Sequence, residues 1–468
     1  MAEQKPTPQL PTGNASVWHG ISENFSFHSS PESFIASRVL DYQKANPELL
    51  ASRVVIRAKI LNRNVAVVSS HAQITQVLQS AAGSEDESPA YVAGAAYNEL
   101  MAPFFPSPNL LLMDGQAHSC LREEWEKRIH HVPETLQPLI SRLTRAHFAS
   151  LANSSETDLY KSLKELSWKI LLGAFLGLRS EEEAFPVVEG HQETLLRGQF
   201  SLMPVNINTG FWHSPRKKGV DAKTKLQQLM SERLQEDRSK CPFELADECI
   251  EDVAKHCVLF TSSLAAKALA SFMTAAFINL YLFPGNERGL VNTLRTLVDP
   301  DSYINALKSI MLETERLSPP IVGIMRRSTK ENIISSTHGH PDVLIPEGWD
   351  VWLYFVGGGR DPAAYGETFN RFLPERYISS DIPPGFAFGA GRKTCLGQSL
   401  TRQIVMSAAQ ACLDMRLTMA GNISSKGVRG WLGWDDATPE EWAVDMKQLP
   451  AQRPSKPIQV RIGYERRP

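Results

Sequence analysis

The stretch GFAFGAGRKTCLGQSL, Gly385 to Leu400, sets four glycines around one cysteine, Cys395, and places Arg392 and Lys393 just ahead of it. Glycines at 389, 391 and 397 permit a tight backbone approach on both sides of the sulfur. The run that follows, LGQSLTRQIVMSAAQACL, spaces its apolar residues as a helix does. The pattern predicts a sulfur at a helix N-terminus, where backbone N–H groups and the helix dipole favour thiolate over thiol. Such a thiolate is a nucleophile or a metal ligand, and no nearby His or Asn offers a base for the first role. An inert buried thiol is the ordinary alternative.

The chain around this loop has 468 residues, 42% of them hydrophobic, and a formal net charge of -2. That is enough to bury a large core as a soluble globular protein. No run of like charge is long enough to serve nucleic acid, and Arg216, Lys217 and Lys218 read as a solvated loop. The six cysteines, Cys120, Cys241, Cys249, Cys257, Cys395 and Cys412, form no CxxC pair, which argues against a zinc site or a disulfide scaffold and fits a reducing compartment. Residues 1–30 read as a polar tail with neither signal peptide nor anchor. The segment from Cys257 to Phe283 carries one charge and is long enough for a bilayer, or for a helix buried on all sides.

Helical periodicity dominates from about Pro133 to Leu317, while strand-like runs lie at 53–70, 342–356 and 457–464. The expected fold class is mainly α with a small β region. VGGGRDP at 356–362 lacks the GK[ST] ending of a phosphate cradle and reads as a turn. The irregular segment 84–106 reads as a loop lining a pocket.

The loop FGAGRKTCLG resembles the haem-binding loop of the cytochrome P-450 family, Phe-x-x-Gly-x-Arg-x-Cys-x-Gly, with Phe388, Gly391, Cys395 and Gly397 in place and Lys393 where the family usually has Arg. Further stretches resemble the family in the same order. Glu313 and Arg316 match its Glu-x-x-Arg motif ahead of Pro319-Pro320, and FNRFLPERY at 369–377 supplies Arg376 as the third member of a Glu-Arg-Arg cluster. His118 and Arg122 match its His-x-x-x-Arg, and Arg326 matches the Arg after the Pro-Pro pair. The segment 202–229 resembles the substrate-roof loop and the helix after it. The resemblance runs from about residue 30 to the C-terminus.

The resemblance implies the cytochrome P-450 fold, with residues 31–468 forming a single catalytic domain. It implies haem b (iron protoporphyrin IX) ligated by Cys395, and propionates held by His118, Arg122, Arg326 and Lys393. It makes Cys257 to Phe283 the buried central helix. The implied function is oxidation of a hydrophobic small molecule in specialised-metabolite biosynthesis, with a reductase or ferredoxin if dioxygen is used. The implied location is cytoplasmic or peripherally membrane-associated.

One departure stands out. Counting back from Pro284 aligns LAAKA with the family's acid-alcohol motif, so Lys267 falls on the acid and Ala268 on the alcohol, and Ala positions no proton. Either the register shifts, so that Thr261, Ser262 or Ser263 supplies the hydroxyl, or Lys267 pairs with a surface carboxylate away from the haem, or Lys267 binds a substrate carboxylate or peroxide. A peroxygenase, a reductant-independent isomerase or dehydratase, and a non-catalytic haem-binding protein are the alternatives.

Overall fold

The Val- and Ile-rich run after Arg53 folds back on itself as two antiparallel strands, Ile56–Ile60 and Arg63–Val68. The second pairs in parallel with Asp350–Tyr354, which lies in the middle of a five-stranded sheet completed by Gly323–Ser328 and Tyr91–Val92. Every residue of Asp350–Tyr354 is buried, as expected for a strand covered on both faces. The structure is a computed structural model that describes residues 8–11, 13, 17–45, 55–60, 63–80, 89–105, 108–130, 132–152, 156–201, 213–236, 250–284, 289–335, 342–379 and 382–465.

The chain divides into two compact units. The first comprises Met1–Ala96, Ile278–Cys395 and Ile423–Lys456, and its core gathers Ala66 and Val68 of the sheet with Ile74, Leu78, Leu353, Phe355 and Phe386. Within the stretch expected as a polar tail, Val17–Ser29 is a helix, and Pro31–Ala45 is a second one with proline in its first turn. Phe27 anchors the first helix by meeting Trp352 and Phe34 edge to face at 5.1 and 5.9 Å. The glycines of VGGGRDP also depart from the turn expected, because Phe355–Gly359 is one short helix. Gly359 is required there by close approach: a Cβ would lie 2.2 Å from the Arg316 carbonyl oxygen.

The second unit comprises Tyr97–Phe277, Leu396–Asn422 and Pro457–Pro468. Its helices include Gly115–Ile129, Val132–Leu151, Leu159–Leu176, Ala184–Gln199, Pro215–Glu236, Ile250–Phe260 and Gln398–Asp414. A three-stranded antiparallel sheet places Gln459–Tyr464 between Thr157–Asp158 and Leu417–Gly421. Arg216 is not on the solvated loop expected for it. It lies in the first turn of Pro215–Glu236, buried, donating to the carbonyls of Glu99 and Leu100 with its guanidinium 5.2 Å from the centre of the Phe104 ring. The expected loop at 84–106 contains the strand Tyr91–Val92 and the helix Gly94–Met101, with 84–88 and 106 outside the described residues. Of the segment 202–229, residues 202–212 lie outside them too.

The long apolar run is two helices, Ile250–Phe260 and Ser263–Leu282. Local side-chain bonds explain the break. Thr261 turns its hydroxyl back onto the Cys257 carbonyl at 2.8 Å, and Ser262 Oγ accepts from the Ala265 amide at 3.2 Å, capping the second helix. Among the described residues Ser263–Leu282 is the one helix long and apolar enough to cross a membrane, yet residues 269–281 are buried without interruption.

Candidate functional site

Cys395 ends a loop closed by its own backbone. The Gly389 amide donates to the Phe386 carbonyl at 2.8 Å, and the Cys395 amide to the Phe388 carbonyl at 2.8 Å. Between them Gly391–Lys393 makes one 3-10 turn, sealed by the Thr394 amide and hydroxyl on the Gly391 carbonyl at 3.0 and 2.7 Å. Gly391 has φ 69, and a Cβ there would meet the Leu78 carbonyl oxygen at 2.8 Å. Only glycine satisfies both conditions. Phe386 fixes the loop from below, 5.7 Å from the Phe355 ring and 4.6 Å from His71. The outcome is a rigid turn with an exposed cysteine at its end.

Glu313 and Arg316 lie on the helix Pro300–Leu317, started by the Asp299 side chain on the Ser302 amide. Both are wholly buried, and the guanidinium grips the carboxylate through two bonds of 2.8 and 2.7 Å. Arg316 also donates to the carbonyls of Gly359, Phe369 and Arg371. Arg376 approaches the same carboxylate at 3.4 Å and bonds the carbonyls of Tyr365 and Thr368. The three residues expected to cluster therefore do, and every backbone oxygen they hold belongs to the segment leading toward the cysteine loop.

The expected propionate cations fall in both units. In the first, Arg326 is buried in the strand Gly323–Ser328 and donates to the Met325 carbonyl, while Lys393 is half-buried. In the second, His118 is buried on the helix Gly115–Ile129 and Arg122 bonds Glu126 at 2.6 Å. Gly397 immediately precedes the helix Gln398–Asp414.

The helix Ser263–Leu282 is open to solvent only at Leu264, Ala265, Lys267, Ala268 and its last residue. The two residues aligned with the acid-alcohol pair belong to that open stretch. Lys267 is not a free cation: its Nζ lies 2.6 Å from Glu193 Oε2 on the helix Ala184–Gln199, and Lys164 Nζ is 3.6 Å from the other oxygen. The Lys267 charge is therefore balanced within the protein by a partly buried carboxylate. Thr261 is also committed, accepting from Gln192 Nε2 at 3.2 Å. Glu193 was missed by sequence reasoning, although Glu189 and Glu193 one turn apart on an apolar helix were the available signal.

Burial pushes the Glu193 carboxyl up, but the Lys267 hydrogen bond and the charges of Lys267 and Lys164 outweigh it and hold the group below the ordinary glutamate value. Glu189 moves the other way, raised by burial, with Glu193 and Glu165 adding repulsion against the opposing pull of Lys164 and Lys267.

A family model for cytochrome P-450 matches residues 302–414. Cytochrome P-450 90D2 of Oryza sativa subsp. indica is 25% identical over 442 residues, covering 84% of this chain and 81% of the relative. The cytochrome P-450 monooxygenase gsfF of Penicillium aethiopicum is 30% identical over 171 residues, 32% of each chain. Among solved structures, retinoic acid bound cyanobacterial CYP120A1 superimposes with a TM-score of 0.68 at 16% identity, covering 90% of this chain and 94% of that one.

Proposed function

This chain belongs to the cytochrome P-450 family, and from that premise we propose that it oxidises a hydrophobic small molecule of specialised metabolism, using dioxygen and electrons from a reductase or ferredoxin. Its cofactor is haem b, and it is a haem-thiolate enzyme of monooxygenase type. Haem supplies the iron at which dioxygen is reduced and one oxygen atom is passed to the substrate.

The observation that carries this proposal is the exposed Cys395 on its closed loop. Among the described residues no group of three or more His, Cys, Asp or Glu side chains is placed to hold a metal. A single presented thiol fits haem, which brings four nitrogen ligands and asks the protein for one thiolate. In this proposal Cys395 ligates iron, Arg326, Lys393, His118 and Arg122 balance the propionates, and Phe388, Gly391 and Gly397 shape the loop. Residues 31–468 then act as one catalytic domain, placed in the cytoplasm or peripherally on a membrane. With Lys267 neutralised by Glu193, a neutral substrate suits the site better than an acid.

Reduced protein mixed with carbon monoxide is expected to show the strongly red-shifted Soret band of thiolate ligation. Cys395→Ala abolishes it. Cys412→Ala leaves it, since Cys412 is buried and burial holds its thiol protonated. Haem bound with a histidine-type band rejects the assignment.

A second proposal is favoured by Ala268, which places no hydroxyl on the open stretch of the central helix. A peroxide-using or reductant-independent enzyme needs no such proton donor. Turnover with hydrogen peroxide alone, equal to or above that with reductase and dioxygen, would select it.

A further inference from the structure

Glu32 is buried in the first turn of Pro31–Ala45, and its two carboxyl oxygens accept from Gln448 Nε2 and Gln452 Nε2, each at 2.5 Å. The oxygens of both amides are held by groups that can only donate: Gln452 Oε1 takes the Trp431 indole N–H at 2.8 Å, and Gln448 Oε1 takes the Glu32 backbone N–H at 3.0 Å. Neither amide, so oriented, turns an acceptor toward the carboxyl. The Trp431 carbonyl is held in turn by Ser318 Oγ and Arg360 Nη2, both at 2.8 Å, and Arg360 also grips the carbonyls of Leu317 and Gly430. Next to Arg360, the Gly359 carbonyl takes Arg316, and Gly385, where the cysteine loop begins, packs so closely that a Cβ would lie 2.7 Å from the Arg316 Cα. A path of contacts therefore runs within the first unit from the N-terminal helices to the cysteine loop.

We propose that Glu32 is a protonation switch for this path: as the acid it turns the Gln452 amide and releases the Trp431 indole, as the carboxylate it restores the lock, and the cysteine loop is set differently in the two states. The acid O–H needs an acceptor. Turning Gln448 would strand both the Glu32 amide and the Ser30 hydroxyl, whereas turning Gln452 strands one indole N–H. Gln452 is therefore the arm that moves. Its Nε2 then faces the indole N–H, donor against donor, and Trp431 shifts against Arg360 and Ser318. In the same step Arg360 loses the negative charge that bears on it. Burial pushes the Glu32 carboxyl up to about 8, against the charge of Arg360 and the hydrogen bonds of Gln452 and Tyr354, so the change falls just above neutrality. Charged and titratable groups on the neighbouring segments are engaged elsewhere: Glu23 with Arg38 and the Lys59 amide, His28 with the Asn24 carbonyl, Glu441 with Lys426, Asp445 with the Gly427 amide, and Arg453 with the Leu449 and Ala451 carbonyls, while Lys447 is exposed.

The competing accounts are a static set of core hydrogen bonds and an acid O–H taken by the Tyr354 hydroxyl, which leaves Trp431 untouched. Reduced, carbon monoxide-bound holoenzyme, labelled at its tryptophan indole nitrogens, is titrated from about pH 6 to about pH 10. The Trp431 N–H resonance, assigned with Trp431→Phe, is expected to move in one step centred near pH 8, and the C–O stretching band moves with the same midpoint. Glu32→Gln carries an amide N–H where the acid has its O–H, and it is expected to hold both signals at their acid positions at every pH. Gln452→Met cuts the path: the C–O band then stays fixed while the infrared band of the Glu32 acid still disappears as pH rises. Where Glu32→Gln fails to fold, the wild-type titrations and Gln452→Met decide. An indole resonance that does not titrate, one that titrates unchanged in Glu32→Gln, or a C–O band that ignores the indole step overturns the switch. The C–O half of the test rests on the haem-thiolate reading. A missing thiolate band in the wild type rejects that reading, and the indole step then decides the switch by itself.

Discussion

Glu313 meets three partners at once: Arg316, Arg376 and the Leu373 amide at 3.0 Å. Removing it strands the Arg316 guanidinium in a site sealed from water, at a cost of about 3 to 5 kcal/mol. Glu313→Ala is therefore expected to yield little soluble holoprotein, measured by the carbon monoxide spectrum per milligram. Normal haem loading with activity alone lost would point to a catalytic role. Glu-x-x-Arg spacing made the pair legible from sequence, because residues three apart share a helix face. Its anchoring to the Gly359, Phe369 and Arg371 carbonyls was not legible, since those oxygens come from backbone more than forty residues away and no side chain marks them.

At the scale of elements, the same contrast recurs. The cysteine loop was readable because glycine and cysteine each have few reasons to occur at such spacing, whereas the break in the long apolar segment left hydropathy unchanged and depended on two hydroxyls. The N-terminal helix escaped notice because its burial rests on a few aromatic contacts within a polar sequence. The crossing of Ala184–Gln199 with Pro215–Glu236 is a third case, and its tightness comes from Gly198 and Gly219. A Cβ on Gly219 would meet Phe104 Cε1 at 2.9 Å and Gly198 Cα at 3.0 Å. Phe104 is fully buried, with the Arg216 guanidinium over its ring. Gly219→Val is expected to destabilise by about 1 to 3 kcal/mol through overpacking and to speed hydrogen exchange in Gly94–Met101. Unchanged exchange there would show that this helix does not depend on the crossing.

For the whole molecule, two buried groups set opposite pH limits, one in each unit. Glu32, 1% exposed, accepts from Gln448 and Gln452 at 2.5 Å, and Gln452 accepts from Trp431. Burial raises its pKa from 4.5 to about 8, against the charge of Arg360 and the hydrogen bonds of Gln452 and Tyr354. His147, bonded to Ser162 at 2.8 Å, is lowered from 6.5 to about 4 by burial and then by Lys169. Below pH 4.5 Glu32 is protonated folded or unfolded and costs nothing. From 4.5 to about 8 the folded state keeps a proton the unfolded state releases, so stability falls with rising pH by about 1.4 kcal/mol per unit. His147 contributes its full stability above 6.5 and loses it as pH falls toward 4, because the unfolded state then takes a proton the folded state refuses. Between 4.5 and 6.5 the two slopes cancel, and above 6.5 Glu32 acts alone. Urea midpoints at constant ionic strength are expected to fall between pH 6.5 and 8 in the wild type more steeply than in Glu32→Gln. In His147→Asn the decline should begin near pH 4.5 instead. Parallel declines of the wild type and Glu32→Gln over that range would show that Glu32 does not carry the alkaline limit.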